Sequence, residues 1–468
     1  MQISNPARLR RGVAVVMFLL AAPSVQAANW LMLQGTEAPN ATAETVLWGF
    51  LQPQYSLTDG TRLDATTPFG GQLAVFNTIA PDLKTESQFQ IQRARIGVRG
   101  QNFLLNSKVN YFILGEFGNN GITTGDGGGA RLTDASVTLN YIPGVRVRTG
   151  LFKYPGSEEG YQAIHVFDYI NFTNVTDSLL LERFFDRDGT PGCTVLLGGT
   201  AATCANNQNG PVGAFRDIGV QLFDAFTFGQ FELSYAFMLG NGNGINRGDN
   251  DGDKDKYYYL SGEWVLGGEG PRREGLKCYV WNQDGSRKIV TGGTGTQGFG
   301  GTGTAGVASK FDRSRIGTGL TFRKSIFRAG AEYIKADGMI FDGTDGGAVP
   351  GALNNIVGPG SAYATFNIAP VDKADGYYVD FGIDVMPGRL ELDIRYDSLN
   401  RRTNAPAFER KFDTLTLGAQ WFFDRKNRVT LNYEFRDAEA PGLPATDVAN
   451  KVLNAIDNRI SLQLTSIF

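Results

Sequence analysis

The sequence predicts an all-β protein, a 16-stranded antiparallel transmembrane β-barrel with short periplasmic turns and long extracellular loops. Three observations lead there. Apolar and polar residues alternate with a period of two in segments of about ten residues, as in "RLELDIRYD" and "RVTLNYEF", and helical periodicity is nearly absent. The connections between these segments alternate short and long. The chain ends on a strand-like stretch, "RISLQLTSIF", with Ile460, Leu462, Leu464 and Phe468 on one face and Arg459, Ser461, Gln463 and Thr465 on the other.

Taken in order, residues 1–27 read as a secretory signal peptide. Arg8, Arg10 and Arg11 precede an apolar run from Val13 to Ala22, and Val25-Gln26-Ala27 suits cleavage after Ala27. The run is well short of the ~20 residues a membrane helix needs. Residues 28–43 are expected to be a short N-terminal periplasmic segment, and 44–468 the barrel. Strands are expected near 44–56, 87–100, 106–117, 131–142, 145–154, 214–224, 230–239, 256–266, 276–283, 312–323, 326–337, 375–386, 389–399, 411–423, 428–437 and 457–468. Pro143-Gly144, Pro387-Gly388, "RKS" and "DRKN" are among the tight turns. The long connections are 57–86, 118–130, 155–213, 240–255, 284–311, 338–374, 400–410 and 438–456.

The physical reason for closure is that an extended backbone in hydrocarbon must pair every N–H and C=O, and only a sheet without edges does so. One face of each strand then meets lipid and the other a wet lumen. Val145, Val147 and Leu151 are expected to face out and Arg146 and Arg148 in. Leu390, Leu392, Ile394 and Tyr396 are expected out, and Glu391, Asp393, Arg395 and Asp397 in. Aromatics gather near strand ends, at Tyr141, Phe231, Trp421-Phe422-Phe423 and Phe435, as interfacial girdles do.

Charge narrows the partners. Without the three arginines of the leader, 41 of the 44 basic residues face 47 acidic ones, so the exported chain is near −6 and no basic field points to nucleic acid. The three cysteines form no CxxC or CxxCH pattern, which argues against covalent haem and thiolate zinc, and no cofactor or metal is expected. Cys193 and Cys204 flank a Gly- and Asn-rich stretch and could form a disulfide in an exported compartment; Cys278 is expected to be buried and unpaired. "GDNDGDKD", 248–255, starts like a calcium loop, but Lys254 replaces the needed glycine and Leu260 the bidentate Glu, so a solvated loop is expected.

Candidate site residues fall into two groups. Arg93, Arg95, Arg99, Lys108, Arg146 and Arg148 sit on nearby strands and could line one basic arc of the lumen, because guanidinium groups attract and fork-bind anions. Pairing with Glu116, Asp134 and Asp217 is the other reading of the same residues. The long connection 155–213 carries Tyr161, His165, Asp168, Glu182 and Arg183 among aromatics, and is expected to fold inward as a constriction. His165, the single histidine, has no serine or aspartate at a recognisable catalytic spacing.

Several segments resemble the phosphate-selective porin O/P family: "FQIQRARIGVRG", "VRVRTGLFKYPGSEEG", "LLLERF", "RDIGVQLF" and "YAFMLGNGNG". The resemblance runs over most of the chain and is sharpest from 87 to 244. It implies a general-diffusion or anion-preferring pore in a Gram-negative outer membrane, commonly a homotrimer, with outer-membrane lipid and small anionic solutes as its partners. Its basic residues match only at Arg93, Arg95, Arg99, Arg146 and Arg148; the later strands and the long loops are acidic, unlike a strict phosphate pore. The terminal Phe468 matches the carboxy-terminal signal read by the barrel assembly machinery. A non-selective porin, the barrel of an outer-membrane complex and a barrel-based hydrolase are the alternative readings.

Overall fold

The computed structural model describes residues 29–33, 45–67, 70–71, 73–77, 86–101, 108–120, 123, 129–181, 195–197, 213–245, 248–268, 270–291, 307–341, 362–364 and 368–468. The expected leader, Glu182, Arg183, Cys193 and Cys204 lie outside them. Sixteen strands close into one barrel, each paired antiparallel with its neighbours in chain order. They are β1 (Val46–Thr58), β2 (Ser87–Gly100), β3 (Val109–Glu116), β4 (Arg131–Ile142), β5 (Val145–Lys153), β6 (Arg216–Phe228), β7 (Phe231–Gly240) and β8 (Asp255–Gly267). The second half is β9 (Glu274–Thr291), β10 (Val307–Lys324), β11 (Phe327–Asp337), β12 (Lys373–Met386), β13 (Leu390–Arg401), β14 (Arg410–Phe422), β15 (Asn427–Glu439) and β16 (Arg459–Ile467).

The period of two in the sequence becomes an inside and an outside. On β13, Glu391, Asp393, Arg395 and Asp397 are buried within the barrel, while Leu392 and Ile394 are 42% and 43% exposed on its outer face. Phe381 and Leu417, the cross-strand neighbours of Ile394, are equally exposed. These residues form the apolar belt that a bilayer covers. Pro143-Gly144 and Pro387-Gly388 make tight turns in which each glycine takes a positive φ, 77° and 70°, that a side chain would strain.

Closure is made by β1 against β16, with pairs from Phe50↔Ile467 to Thr58↔Arg459. Phe468 extends the seam: its N–H donates to the Gly49 carbonyl at 3.0 Å, and Gly49 N–H donates to the Phe468 carbonyl at 3.2 Å. The Phe468 ring lies over Gly49, where an added Cβ would meet its Cζ at 2.4 Å. At the long-loop end, Leu63, Ala74 and Phe76 of the first loop pack with Val452, Ala455 and Ile456 of the last. Asp457 accepts hydrogen bonds from Thr61 and Asn77 across the same seam.

Several expectations are corrected. β9 and β10 run past 276–283 and 312–323, because Gly285–Thr291 pairs with β10 alone, as a two-stranded ribbon beyond the rim. That ribbon mixes Arg287, Lys288 and Ser286 with apolar residues, so its alternation is weak. Leu151 is only 4% exposed, covered by Ala214 and Ile245, which fold over the end of β5. Cys278 is exposed rather than buried, since it shares the outward parity of Leu276 and Val280. Residues 29–33 are not outside the barrel. They form a short helix, α1 (Trp30–Leu33), buried within it.

The belt predicts the cost of a charge on its lipid side. Ile394→Arg is expected to destabilise the barrel by about 2–4 kcal/mol if the site is near the bilayer midplane, read as a lower urea midpoint in lipid vesicles.

Candidate functional site

The lumen is shaped by residues 154–181, which leave β5, cross the inside of the barrel and return along the opposite wall. Helix α2 (Glu158–Tyr161) is gripped first. Lys277 Nζ lies 2.6 Å from both Glu158 carboxylate oxygens, and Ser157 Oγ donates to Glu332 at 2.8 Å. Glu159 accepts from Arg395 on β13 at 2.9 Å and from Thr173 within the loop. The loop then descends toward the short-turn end. There Asp168 sits among Arg272, Arg328 and Arg323 at 3.1, 3.2 and 3.7 Å. On the way back, Ile170 N–H donates to Asn432, Asn171 to Glu434, and Asn174 to Asp397 and Thr414. Helix α3 (Asn174–Leu179) is N-capped by Thr173 and closes the excursion. It lies flush on the wall because Gly376 has no side chain: a Cβ there would be 2.7 Å from Val175 Cγ2.

Apolar packing explains which wall the loop chooses. Ile164, Phe167 and Tyr169 join Phe50 and Trp48 of β1 in one cluster, and the His165 ring packs at a tilt against Trp48 and Phe50, at 5.6 and 5.1 Å. Tyr154, Tyr161 and Leu179–Leu181 cover the unusually apolar inner face of β6 to β9, formed by Phe223, Met238, Tyr257, Tyr259 and Trp281. The remaining space at the short-turn end is a cavity of about 110 Å³ between Trp30 and Glu158 on one side and Asp168, Arg272, Arg323 and Arg328 on the other.

The predicted arginines separate. Arg93 and Arg95 are buried on the inner face of β2, where Arg93 donates to Gln52 at 3.1 Å and Arg95 to Glu116 at 2.6 Å. Arg95, Lys153 and Arg216 line a smaller cavity of about 60 Å³ together with Trp48, Phe50, Asp134 and His165. Arg216 is paired with Asp134, and Lys153 Nζ donates to the Gly160 and Gln162 carbonyls. Four cations thus meet two carboxylates, Glu116 and Asp134. Arg99 lies over the Trp48 ring. Arg146 pairs with Asp224 at 3.2 Å, and Arg148 lies over the Phe223 ring at 4.5 Å. Lys108 departs from the predicted arc. It is exposed at the β2–β3 turn, with its ammonium over Tyr141. Asp217 bonds Tyr257 and the Gly242 N–H, not one of these arginines.

Sequence reasoning missed Lys277 and Arg328, which the parity rule reaches when carried through "EGLK" and "FRAG". It also missed Lys153 and Arg216, which share the parity of the outward Val147 and Val220 and so carried no such signal. Arg272 and Arg323 stand at or beside turns, where parity carries no signal. Among the described residues no cluster of His, Cys, Asp or Glu could hold a metal ion. In the "GDNDGDKD" loop the acids are engaged, Asp249 with Lys254, Asp253 with Lys310 and Asp251 with Ser286.

No protein-family model matches the chain, and no curated protein matches it. The resemblance to the O/P family therefore rests on its motifs alone. Among solved structures, the chain is similar to a loop L8 deletion mutant of OmpT, an outer membrane protein of Vibrio cholerae. That likeness has 12% identity and a TM-score of 0.50, and covers 91% of this chain and 99% of that one. An anion-selective porin from Comamonas acidovorans has 13% identity over 91% and 99% of the two chains, with a TM-score of 0.48. OmpF of Salmonella typhi, solved with daunomycin, has 13% identity over 91% and 97%, with a TM-score of 0.47. At such identities the first likeness speaks for the fold alone, a closed sixteen-stranded barrel.

His165 gives the loop a pH dependence. Burial comes first, and then the charges of Arg428, Arg95, Lys153 and Arg99, in pulling its imidazole pKa well below 6.5. The unfolded chain takes up a proton near 6.5 and the docked loop does not. Stability is therefore full above that pH and falls as the solution is acidified below it. Urea unfolding in lipid vesicles is expected to show a lower midpoint at pH 5 than at pH 7.5, and His165→Phe is expected to shrink the difference.

Proposed function

We propose that this chain is an outer-membrane porin that lets small hydrophilic solutes diffuse passively, with a preference for anions. The lipid-facing belt and the closed barrel support the location. The inward loop supports a size limit, since it fills much of the lumen. The observation that carries the anion preference is the arc at β2, β5 and β6, where Arg93, Arg95, Lys153 and Arg216 outnumber Glu116 and Asp134 two to one. A local surplus of fixed positive charge lowers the energy of an anion there and raises that of a cation. Weak contacts at several such groups let the ion leave again.

One observation favours a less selective pore. Several other charges of the wall are matched, as in Arg146–Asp224, Arg287–Asp255 and Arg459–Glu434. The outer-membrane setting, a homotrimeric assembly and delivery by the barrel assembly machinery through Phe468 belong to the same proposal.

The test is a reversal potential in planar bilayers under a potassium chloride gradient. Chloride is expected to be favoured, and Arg93→Gln is expected to reduce the chloride-to-potassium permeability ratio by roughly twofold. A cation-favouring potential in the unaltered protein overturns the anion preference and leaves the pore. Block of the chloride current by added phosphate separates an oxyanion-preferring channel from a general one.

A further inference from the structure

The segment Asn29–Leu33 is a short apolar stretch held inside a barrel whose lumen is otherwise polar or covered by the 154–181 loop. Trp30, Leu31 and Met32 are 6%, 1% and 5% exposed. They share one cluster with Phe152, Phe223, Ala236 and Met238, residues on the inner faces of β5, β6 and β7. Such an apolar patch on a channel wall would otherwise stand in water. Polar contacts fix the register. Asn29 Nδ2 donates to Glu232 Oε1 at 3.0 Å and to Ser234 Oγ at 2.6 Å. Trp30 Nε1 donates at 2.9 Å to Glu158 Oε1, the carboxylate that Lys277 holds from the other side. Arg148 Nη2 reaches the Leu31 carbonyl at 3.4 Å.

The partners also place the segment along the barrel axis. Glu232 and Ser234 follow directly on the turn at 229–230, and Lys277 comes soon after the turn that ends at Arg273. The segment therefore occupies the short-turn end, and Trp30 forms one side of the 110 Å³ cavity whose other side is Arg272, Arg323 and Arg328.

We propose that residues 29–33 are an internal plug that narrows the short-turn mouth, and that their seat on β5 to β7 is a binding site for a short apolar peptide with Asn and Trp at its start. The side-chain amide, the indole N–H and one backbone carbonyl each have a fixed partner, so the seat selects a sequence as well as an apolar surface. This goes beyond passive diffusion, because it makes the width of the path depend on whether the seat is filled.

The test uses the full chain and a variant lacking residues 29–33, both recovered as heat-modifiable folded barrels and measured in planar bilayers. The shortened protein is expected to conduct about 1.5-fold more or better, and the free peptide Asn-Trp-Leu-Met-Leu, added at the short-turn side, is expected to return it to the parental level. A folded deletion variant with unchanged conductance, or one indifferent to the peptide, overturns the proposal. A second measurement does not depend on conduction or on folding of the deletion. In a full-length Leu31→Cys protein whose three native cysteines are serine, a bulky maleimide is expected to label the folded barrel far more slowly than the unfolded chain. Equal labelling rates overturn the plug, whatever the ion selectivity proves to be.

Discussion

The pairing of β1 with β16 is the constraint on which the rest of the structure depends. In hydrocarbon no water is available to satisfy a lone N–H or C=O, so an open edge on either strand would be untenable. The seam runs from Phe50↔Ile467 to Thr58↔Arg459 and is carried one residue further by Phe468 and Gly49. Once it is closed, parity along every strand acquires a meaning. Leu392 and Ile394 can face lipid only because Glu391, Asp393 and Arg395 have an interior to enter.

That interior is crowded with charge, and its organisation follows from what the loop brings to it. Glu158, Glu159 and Asp168 are carried inward by the backbone, and each meets a basic side chain of the wall: Lys277, Arg395 and the Arg272–Arg323–Arg328 group. Removing one member of such a buried pair leaves the other uncompensated, which costs far more than the pair itself contributes. The loop is thus held across the full width of the barrel by electrostatic complementarity, while Phe167, Tyr169 and Tyr161 supply the apolar contacts. Around Arg93, Arg95, Lys153 and Arg216, basic side chains outnumber the carboxylates Glu116 and Asp134.

Much of this was legible in the sequence, for a physical reason. Alternation reports a strand only when its two faces meet different solvents, and here lipid and lumen differ sharply, so all sixteen strands were visible. Pro143-Gly144 and Pro387-Gly388 announced their turns because only glycine takes the required φ without strain. The extension of β9 and β10 was not visible, because the adjacent Ser286 and Arg287 are both buried there, bonded to Asp251 and Asp255, which breaks the period of two. The position of α1 was hidden for another reason: "NWLML" is an apolar run of a kind that suits many sites, and its partners Glu158, Glu232 and Ser234 lie more than a hundred residues away. The inward loop was expected from its length and its aromatics. Its counter-charges on the wall needed the three-dimensional arrangement.

The packing of the first and last loops has a consequence for how the molecule comes together. Leu63, Ala74 and Phe76 meet Val452, Ala455 and Ile456 at one end of the seam, and Gly49 meets Phe468 at the other. The joint is therefore clasped top and bottom, like a zip with a stop at each end. A slip of two residues between β1 and β16 would keep every side chain on its proper face, yet it would pull both clasps out of reach. Parity alone tolerates that mistake; the clasps do not, and they supply the proofreading that decides where the ribbon finally locks.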